Sequence, residues 1–388
     1  MINNIKCVLM RGGTSKGLFF IKEWLPADPY IRDKLLIRAL GSPDPYLSQI
    51  DGMGGATSST SKIVIISRSA KKDCDVDYLF GQVSINKPFI DWSGNCGNLT
   101  AAVGPFAVSQ GLVTSTSERF AEVSIWQTNI KAKILSRFDL IDGQPVEEGG
   151  YQMDGIPFKG SEILIDYIDP CGAGNGTPVF PTGNLMDYLD VPTIGPVNMT
   201  MMNAANPIVL VHASALGLAG SELPAHINSN SALLHRAEMI RTTAAVSMGL
   251  ASSMEDARQN RQHTPKLAFL AKPSGYTSTG GTLIEQSRID INARIFSMGK
   301  LHHAITGTGA IGIAAAAAIP GTLANLFIIK PADRQLRIGH PAGMVQVGVK
   351  AMMQNGSWII KSATMSRTAR RLMSGELFVP DGVERIDV

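Results

Sequence analysis

Ser93-Gly-Asn-Cys-Gly-Asn-Leu-Thr-Ala-Ala-Val-Gly-Pro-Phe-Ala-Val108 is a glycine-bracketed polar run followed by a segment that is apolar on nearly every side. A helix of that kind has no face for water and must be buried. Two hundred residues later Thr306-Gly-Thr-Gly-Ala-Ile-Gly-Ile-Ala-Ala-Ala-Ala-Ala-Ile319 repeats the grammar, closed by Pro320-Gly321. The chain uses one device twice. Strand-like runs surround both helices: Ile5 to Met10, Gly17 to Ile21, Lys62 to Ser67 and Val76 to Phe80 around the first. Further runs follow at Glu122 to Trp126, Glu162 to Ile168, Pro207 to Val211, Lys266 to Ala271, Met344 to Val349 and Ser357 to Lys361. The expected class is therefore α+β, with two similar domains, each a mostly antiparallel sheet wrapped around a central helix.

The boundary is expected near Pro178 to Asn184, giving domains 1–182 and 183–388, with Glu376-Leu-Phe-Val379 able to return to the first domain as a strand. Tyr30 to Leu40 has helical spacing and stops at Gly41-Ser-Pro43. Ser229 to Arg261 reads as a solvent-facing helical pair without chemical content.

At 388 residues the chain exceeds a single comfortable core, and 44% hydrophobic against 17% charged residues describes a compact protein. A net charge of +3 is too small and scattered for a nucleic-acid binder. No apolar run is long enough to span a bilayer, the N-terminus lacks a signal pattern, and four cysteines without CxxC spacing suit a reducing compartment; a cytoplasmic protein is expected. A homodimer is the default expectation for its assembly.

Cys96 lies where helix-start amides favour thiolate; Cys7, Cys74 and Cys171 lack such surroundings and read as structural. Asp51-Gly-Met-Gly-Gly-Ala-Thr-Ser-Ser-Thr-Ser-Lys62 is a small-residue loop delivering a lysine to the start of an apolar strand. Desolvation there would make Lys62 a usable general base, and the hydroxyls of Thr57 to Ser61 can donate to carboxylate oxygens. The turn Met10-Arg-Gly-Gly-Thr-Ser-Lys-Gly17 can clamp a carboxylate through Arg11, Ser15 and Lys16. Ser297-Met-Gly-Lys-Leu-His-His303 brings cations to the second helix start. His302 and His303 are adjacent and expected to diverge, and HExxH or an Asp/Glu cluster is missing, so no metal is expected.

These motifs, with Gln49 to Lys62, Asp91 to Asn98, Phe180 to Asn184, Arg261 to Lys266 and Met365 to Arg370, resemble those of the PrpF family, the 2-methylaconitate cis-trans isomerases, over essentially the whole chain. The resemblance implies a diaminopimelate epimerase-like fold with the active site in the inter-domain cleft, no cofactor, and a small tricarboxylate substrate of the methylcitrate cycle in propionate catabolism. Cys96 falls at the first catalytic cysteine of the epimerases and Asn206-Pro207 at their substrate-binding Asn-Pro, while Thr306 stands where their second cysteine would be. The lysine at the position of Lys62 is implicated in the isomerases. Lys62 and Cys96 are thus the expected catalytic pair. The expected substrate-binding set is Arg11, Ser15, Lys16, Ser93, Asn95, Gly97, Asn98, Asn206, Lys266, Ser297, Met298, Lys300, Thr306, Gly307 and Thr308. Cys96 keeps two open roles, second acid/base or carboxylate positioning. A 4-oxalomesaconate tautomerase is the neighbouring alternative, a catalytically silent carboxylate-binding protein a more distant one, and loss of the second thiol argues against an amino-acid racemase.

Overall fold

The computed structural model describes residues 2–172, 174, 176–328 and 335–380. They form two compact units: the chain up to Gln152 with Phe158–Ile165 and the segment beginning at Arg367, and Met153–Pro157 with Asp166–Ser366.

In the first unit, β1 (Ile2–Gly12), β2 (Ser15–Ile21), β3 (Lys62–Arg68), β4 (Val76–Val83), β5 (Phe120–Gln127) and β6 (Ala132–Ile141) lie side by side in chain order. Their pairings alternate: β1–β2 antiparallel, β2–β3 parallel, β3–β4 antiparallel, β4–β5 parallel, β5–β6 antiparallel. Parallel neighbours need a long crossover. Between β2 and β3 it includes helix α1 (Pro29–Ala39), and between β4 and β5 it is helix α2 (Thr100–Ser109). Helix α2 packs on β1, β5, β6 and the C-terminal strand Ala369–Pro380. Helix α1 places Leu35, Leu36 and Ile37 in a cluster with Ile5, Leu18, Phe20, Ile63 and Ile65. Val64 and Ile66, which alternate with those two isoleucines, are also fully buried, so β3 is covered on both faces. That is why its sequence reads as an unbroken apolar run. The C-terminal strand joins this unit, antiparallel to β1 from Ile2 opposite Pro380 to Gly12 opposite Ala369.

Strand β7 (Ile163–Ile168) carries the chain from the first unit into the second without a loop, so Phe180 to Asn184 lies inside the second unit. There Thr182 and Asn184 hydrogen-bond the Asp187 carboxylate at 2.8 and 2.9 Å, fixing the lead-in to the next strand. The second unit contains β8 (Asp187–Val191), β9 (Gly195–Ala204), β10 (Asn206–His212), β11 (Lys266–Ala271), β12 (Ile291–Ser297), β13 (Gln335–His340), β14 (Gly343–Gln354) and β15 (Ser357–Arg367). From β9 to β14 the alternation of the first unit recurs: antiparallel, parallel, antiparallel, parallel, antiparallel. Besides a short helical turn at Pro224–Asn228, its helices among the described residues are α3 (Ser231–Ser247), α4 (Met254–Asn260) and α5 (Gly307–Ala317). Helix α5, wholly buried, packs on β9, β10, β13 and β14. Each unit is thus a sheet around a central helix, as the doubled motif predicts.

One helical expectation needs correction. Helix α3 is not merely solvent-facing, because Leu233, Ala237, Ile240 and Ala244 make a stripe buried against Met199, Val209, Val211, Leu267 and Phe269. Their spacing of four, three and four residues defines one helix face. Arg241, buried on the same helix, is ion-paired with Glu238 and donates to the carbonyls of Ala257, Arg261 and Thr264. It braces the loop that leads to Lys266.

Candidate active site

Helix α2 is buried from Thr100 to Val108, and the turn that leads into it is built around Cys96. The Cys96 carbonyl accepts the Thr100 amide and the Thr100 hydroxyl, both at 3.0 Å, while the sulfur accepts the Leu99 amide at 3.5 Å. Asn98, in the same turn, reaches Thr14 through Nδ2 at 3.0 Å.

The turn at Gly12-Gly13 presses directly on this helix start. A Cβ on Gly13, whose φ is +52°, would meet the Asn98 side-chain oxygen at 2.5 Å. A Cβ on Gly17 would meet the Lys62 carbonyl at 2.7 Å and the Lys62 Cβ at 3.0 Å. The glycines of this motif therefore serve close approach between β2, β3 and the helix start.

Lys62 is the first residue of β3 and only 4% exposed. Its Nζ donates to the Gln82 side-chain oxygen at 2.6 Å and lies 5.0 Å from the centre of the Phe80 ring. Burial pushes the Lys62 ammonium below its usual range; Cys96 acts against this by charge and by a hydrogen bond to it. The structure thus brings Lys62 and Cys96 together, from a strand start and a helix start 34 residues apart in sequence. Neither composition nor spacing signalled Gln82; only the antiparallel register, which sets Lys62 opposite Gln82, reveals it.

The loop before Lys62 behaves differently from expectation. Thr57 and Thr60 hydroxyls bond each other at 2.9 Å, and Ser61 donates to the buried Gln49 side chain at 2.6 Å. The Thr57, Thr60 and Ser61 hydroxyls thus bond within this segment in place of standing open toward a carboxylate. Arg11 similarly spends Nη1 on the Gly13 and Thr368 carbonyls and the Thr368 hydroxyl, bracing the turn to the C-terminal strand. Ser15 is buried at the start of β2, and the half-buried Lys16 bonds Ser59 through its backbone amide. The Ser93 amide is tied to Asp91 at 2.8 Å, and Asn95 accepts from Thr100 at 3.4 Å; Gly97 is buried in the same turn.

The second unit gathers another set. Lys266 begins β11, as Lys62 begins β3, and its Nζ lies 3.0 Å from the Ser297 hydroxyl and 3.2 Å from His263 Nδ1. Asn206 bonds the Thr308 hydroxyl at 3.1 Å, and Gly307 is buried in the first turn of α5. Thr306 caps that helix by accepting the Gly309 amide at 3.2 Å, the ordinary work of a threonine at that position. Met298 has a φ of +53° in the tight turn between Ser297 and Lys300. Lys300 is exposed, with Nζ 3.4 Å from the Asn228 carbonyl. His302 and His303 do not diverge: their ring centroids lie 4.6 Å apart with the planes 23° from parallel, a stacked pair.

Cys7, Cys74 and Cys171 are buried, and burial raises each thiol above its usual range, which suits structural roles. Among the described residues no group of three or more His, Cys, Asp or Glu is placed to hold a metal ion. No helix among them is long and apolar enough to cross a membrane.

A family model described as PrpF protein matches residues 2–380. The chain is 49% identical to a 2-methyl-aconitate isomerase of Shewanella oneidensis and 47% identical to one of Cupriavidus necator, with 97% of each chain covered in both cases. It is 36% identical to a 4-oxalomesaconate tautomerase of Pseudomonas putida, covering 96% of this chain and 95% of the relative. Among solved structures, a methylitaconate-delta-isomerase superposes with a TM-score of 0.76 at 38% identity, over 98% of this chain and 97% of the other. A probable proline racemase of Agrobacterium radiobacter shares the fold at a TM-score of 0.57 and 12% identity, over 99% and 94%.

Proposed function

The chain belongs to the PrpF family, and from that premise we propose that it is an isomerase interconverting 2-methyl-trans-aconitate and 2-methyl-cis-aconitate by allylic proton transfer. The observation that carries the reading is the buried Lys62 amine beside Cys96 at the start of α2. The names borne by relatives at 49% and 47% identity support the choice of substrate.

Lys62, neutral, takes a proton from a carbon allylic to the carboxylate-conjugated double bond. The C–H electron pair forms a new double bond, and the old one moves its pair toward the carboxylate as an extended enolate. The former double bond is then single and rotates. Lys62 ammonium returns the proton to the same carbon, so no net charge, electron or atom is gained. Lowering the lysine below its usual range matters because only the deprotonated amine can act. Lys16, on the same unit as Lys62, is the cation that binds a carboxylate in this reading, with Ser15, Asn95 and Asn98 as neutral donors. Cys96 holds the amine through its hydrogen bond and positions the substrate.

The test is proton NMR of the protein with 2-methyl-trans-aconitate in deuterated water, beside Lys62→Ala. The expected result is the cis isomer with deuterium incorporated, and a loss of about a thousandfold or more in the variant. Full activity of Lys62→Ala sinks the role of Lys62. Turnover of 4-oxalomesaconate in place of methylaconitate moves the enzyme to the tautomerase reading.

A further inference from the structure

Gln82 is completely buried on β4, directly opposite Lys62 in the β3–β4 ladder. Its side-chain amide is fixed at both ends. The oxygen accepts from Lys62 Nζ at 2.6 Å, and Nε2 donates to the Ser61 carbonyl at 3.0 Å, a bond that sets which end faces the lysine. Phe80, two residues earlier and on the same strand face, supplies its ring 5.0 Å from Nζ. Cys96 is the titratable group that acts on Nζ, by charge and hydrogen bond. The lysine is therefore oriented by an amide oxygen that carries no charge.

That choice has chemical content. A carboxylate in the place of the amide would orient the nitrogen equally well, but it would stabilise the ammonium and keep the proton on it. An aliphatic side chain would leave the nitrogen free to rotate away from a productive pose. The second unit repeats the arrangement: Ala268 pairs with Ile295, which sets Ser297 opposite Lys266, and the Ser297 hydroxyl lies 3.0 Å from Nζ. In both units a strand-leading lysine meets an uncharged oxygen on the antiparallel neighbour.

We propose that Gln82 is a positioning residue for the isomerisation, holding the Lys62 amine through an uncharged acceptor so that it is aimed at the substrate without a carboxylate at its side. The proposal rests on Lys62 being the base.

Steady-state kinetics on 2-methyl-trans-aconitate across the neutral to alkaline range test it, comparing wild type, Gln82→Glu, Gln82→Met and Lys62→Ala. Gln82→Glu is expected to lose roughly a hundredfold in kcat at neutral pH and to regain activity on raising the pH. Its ascending limb should move up by about one to three pH units, with KM changed less than about threefold. Gln82→Met is expected to lose about tenfold in kcat without that upward displacement. A Gln82→Glu enzyme with the wild-type rate and limb overturns the proposal, as does a Gln82→Met loss confined to KM. Where Gln82→Glu does not fold, the split between kcat and KM in Gln82→Met decides. Active wild type, inactive Lys62→Ala and unaltered Gln82 variants remove Gln82 alone. A fully active Lys62→Ala instead removes the reading of Lys62 on which it stands.

Discussion

At the scale of single residues, Lys62 is governed by two opposed influences of unequal size. Burial favours the neutral amine, and Cys96 favours the ammonium by charge and hydrogen bond, but burial dominates. A general base works above its own pKa, so kcat should rise with pH through the Lys62 value, at lower pH than for an ordinary lysine. Removing Cys96 removes the influence that raises that value. In Cys96→Ala the ascending limb of kcat is therefore expected to move to still lower pH, read from a pH–rate profile. An unmoved limb would show that the thiol does not act on the amine. The buried placement of Lys62 and Cys96 was legible in the sequence, because each stands at the edge of an apolar run behind a small-residue lead-in. Gln82 was not legible, since a glutamine inside a strand carries no local signal of the lysine twenty positions before it.

At the scale of elements, the close packing of β2 on β3 sets where the lysine sits. Gly17 is in ordinary strand conformation, yet a Cβ there would strike Lys62 backbone and side chain, neither of which is a flexible end. Gly17→Ala is expected to cost about 1–3 kcal/mol. For a unit of this size that lowers Tm by roughly 2–4 °C per kcal/mol, and kcat should fall with it as Lys62 is displaced. Gly375→Ala, where an added Cβ meets nothing within 4 Å, is the control expected to leave both unchanged. Calorimetry and kinetics on the two variants check this. The burial of helix α3 is faint in the sequence, because its apolar stripe relies on alanines, Ala237 and Ala244, set among charged residues. The loop hydroxyls of Thr57, Thr60 and Ser61 show the same limit, for nothing local reveals that they bond one another and Gln49.

At the scale of the whole molecule, the first unit is closed by residues from the far end of the chain. The strand Ala369–Pro380 pairs with β1 along its length and packs on α2, and Arg11 anchors the turn to Thr368. Ending the chain at Ser366 removes all of this at once. The truncated protein is expected to lose the cooperative unfolding of its first unit in calorimetry; a wild-type transition for that unit would contradict the role of the strand. The sequence by itself determined the α+β class, the doubled sheet-and-helix plan, the two buried helices, and the positions of Lys62 and Cys96 at the edges of apolar runs. Those depend on local periodicity, glycine placement and burial, which are written in short stretches. Only the tertiary structure decided which oxygen faces Lys62, which hydroxyls are already spent, that His302 and His303 stack, and that Arg11 braces a strand more than 350 residues away. The oxygen at Lys62 and the partner of Arg11 are contacts between residues distant in sequence, fixed by strand register, while the hydroxyls and the two histidines are near neighbours whose partners depend on how the loop folds back on itself.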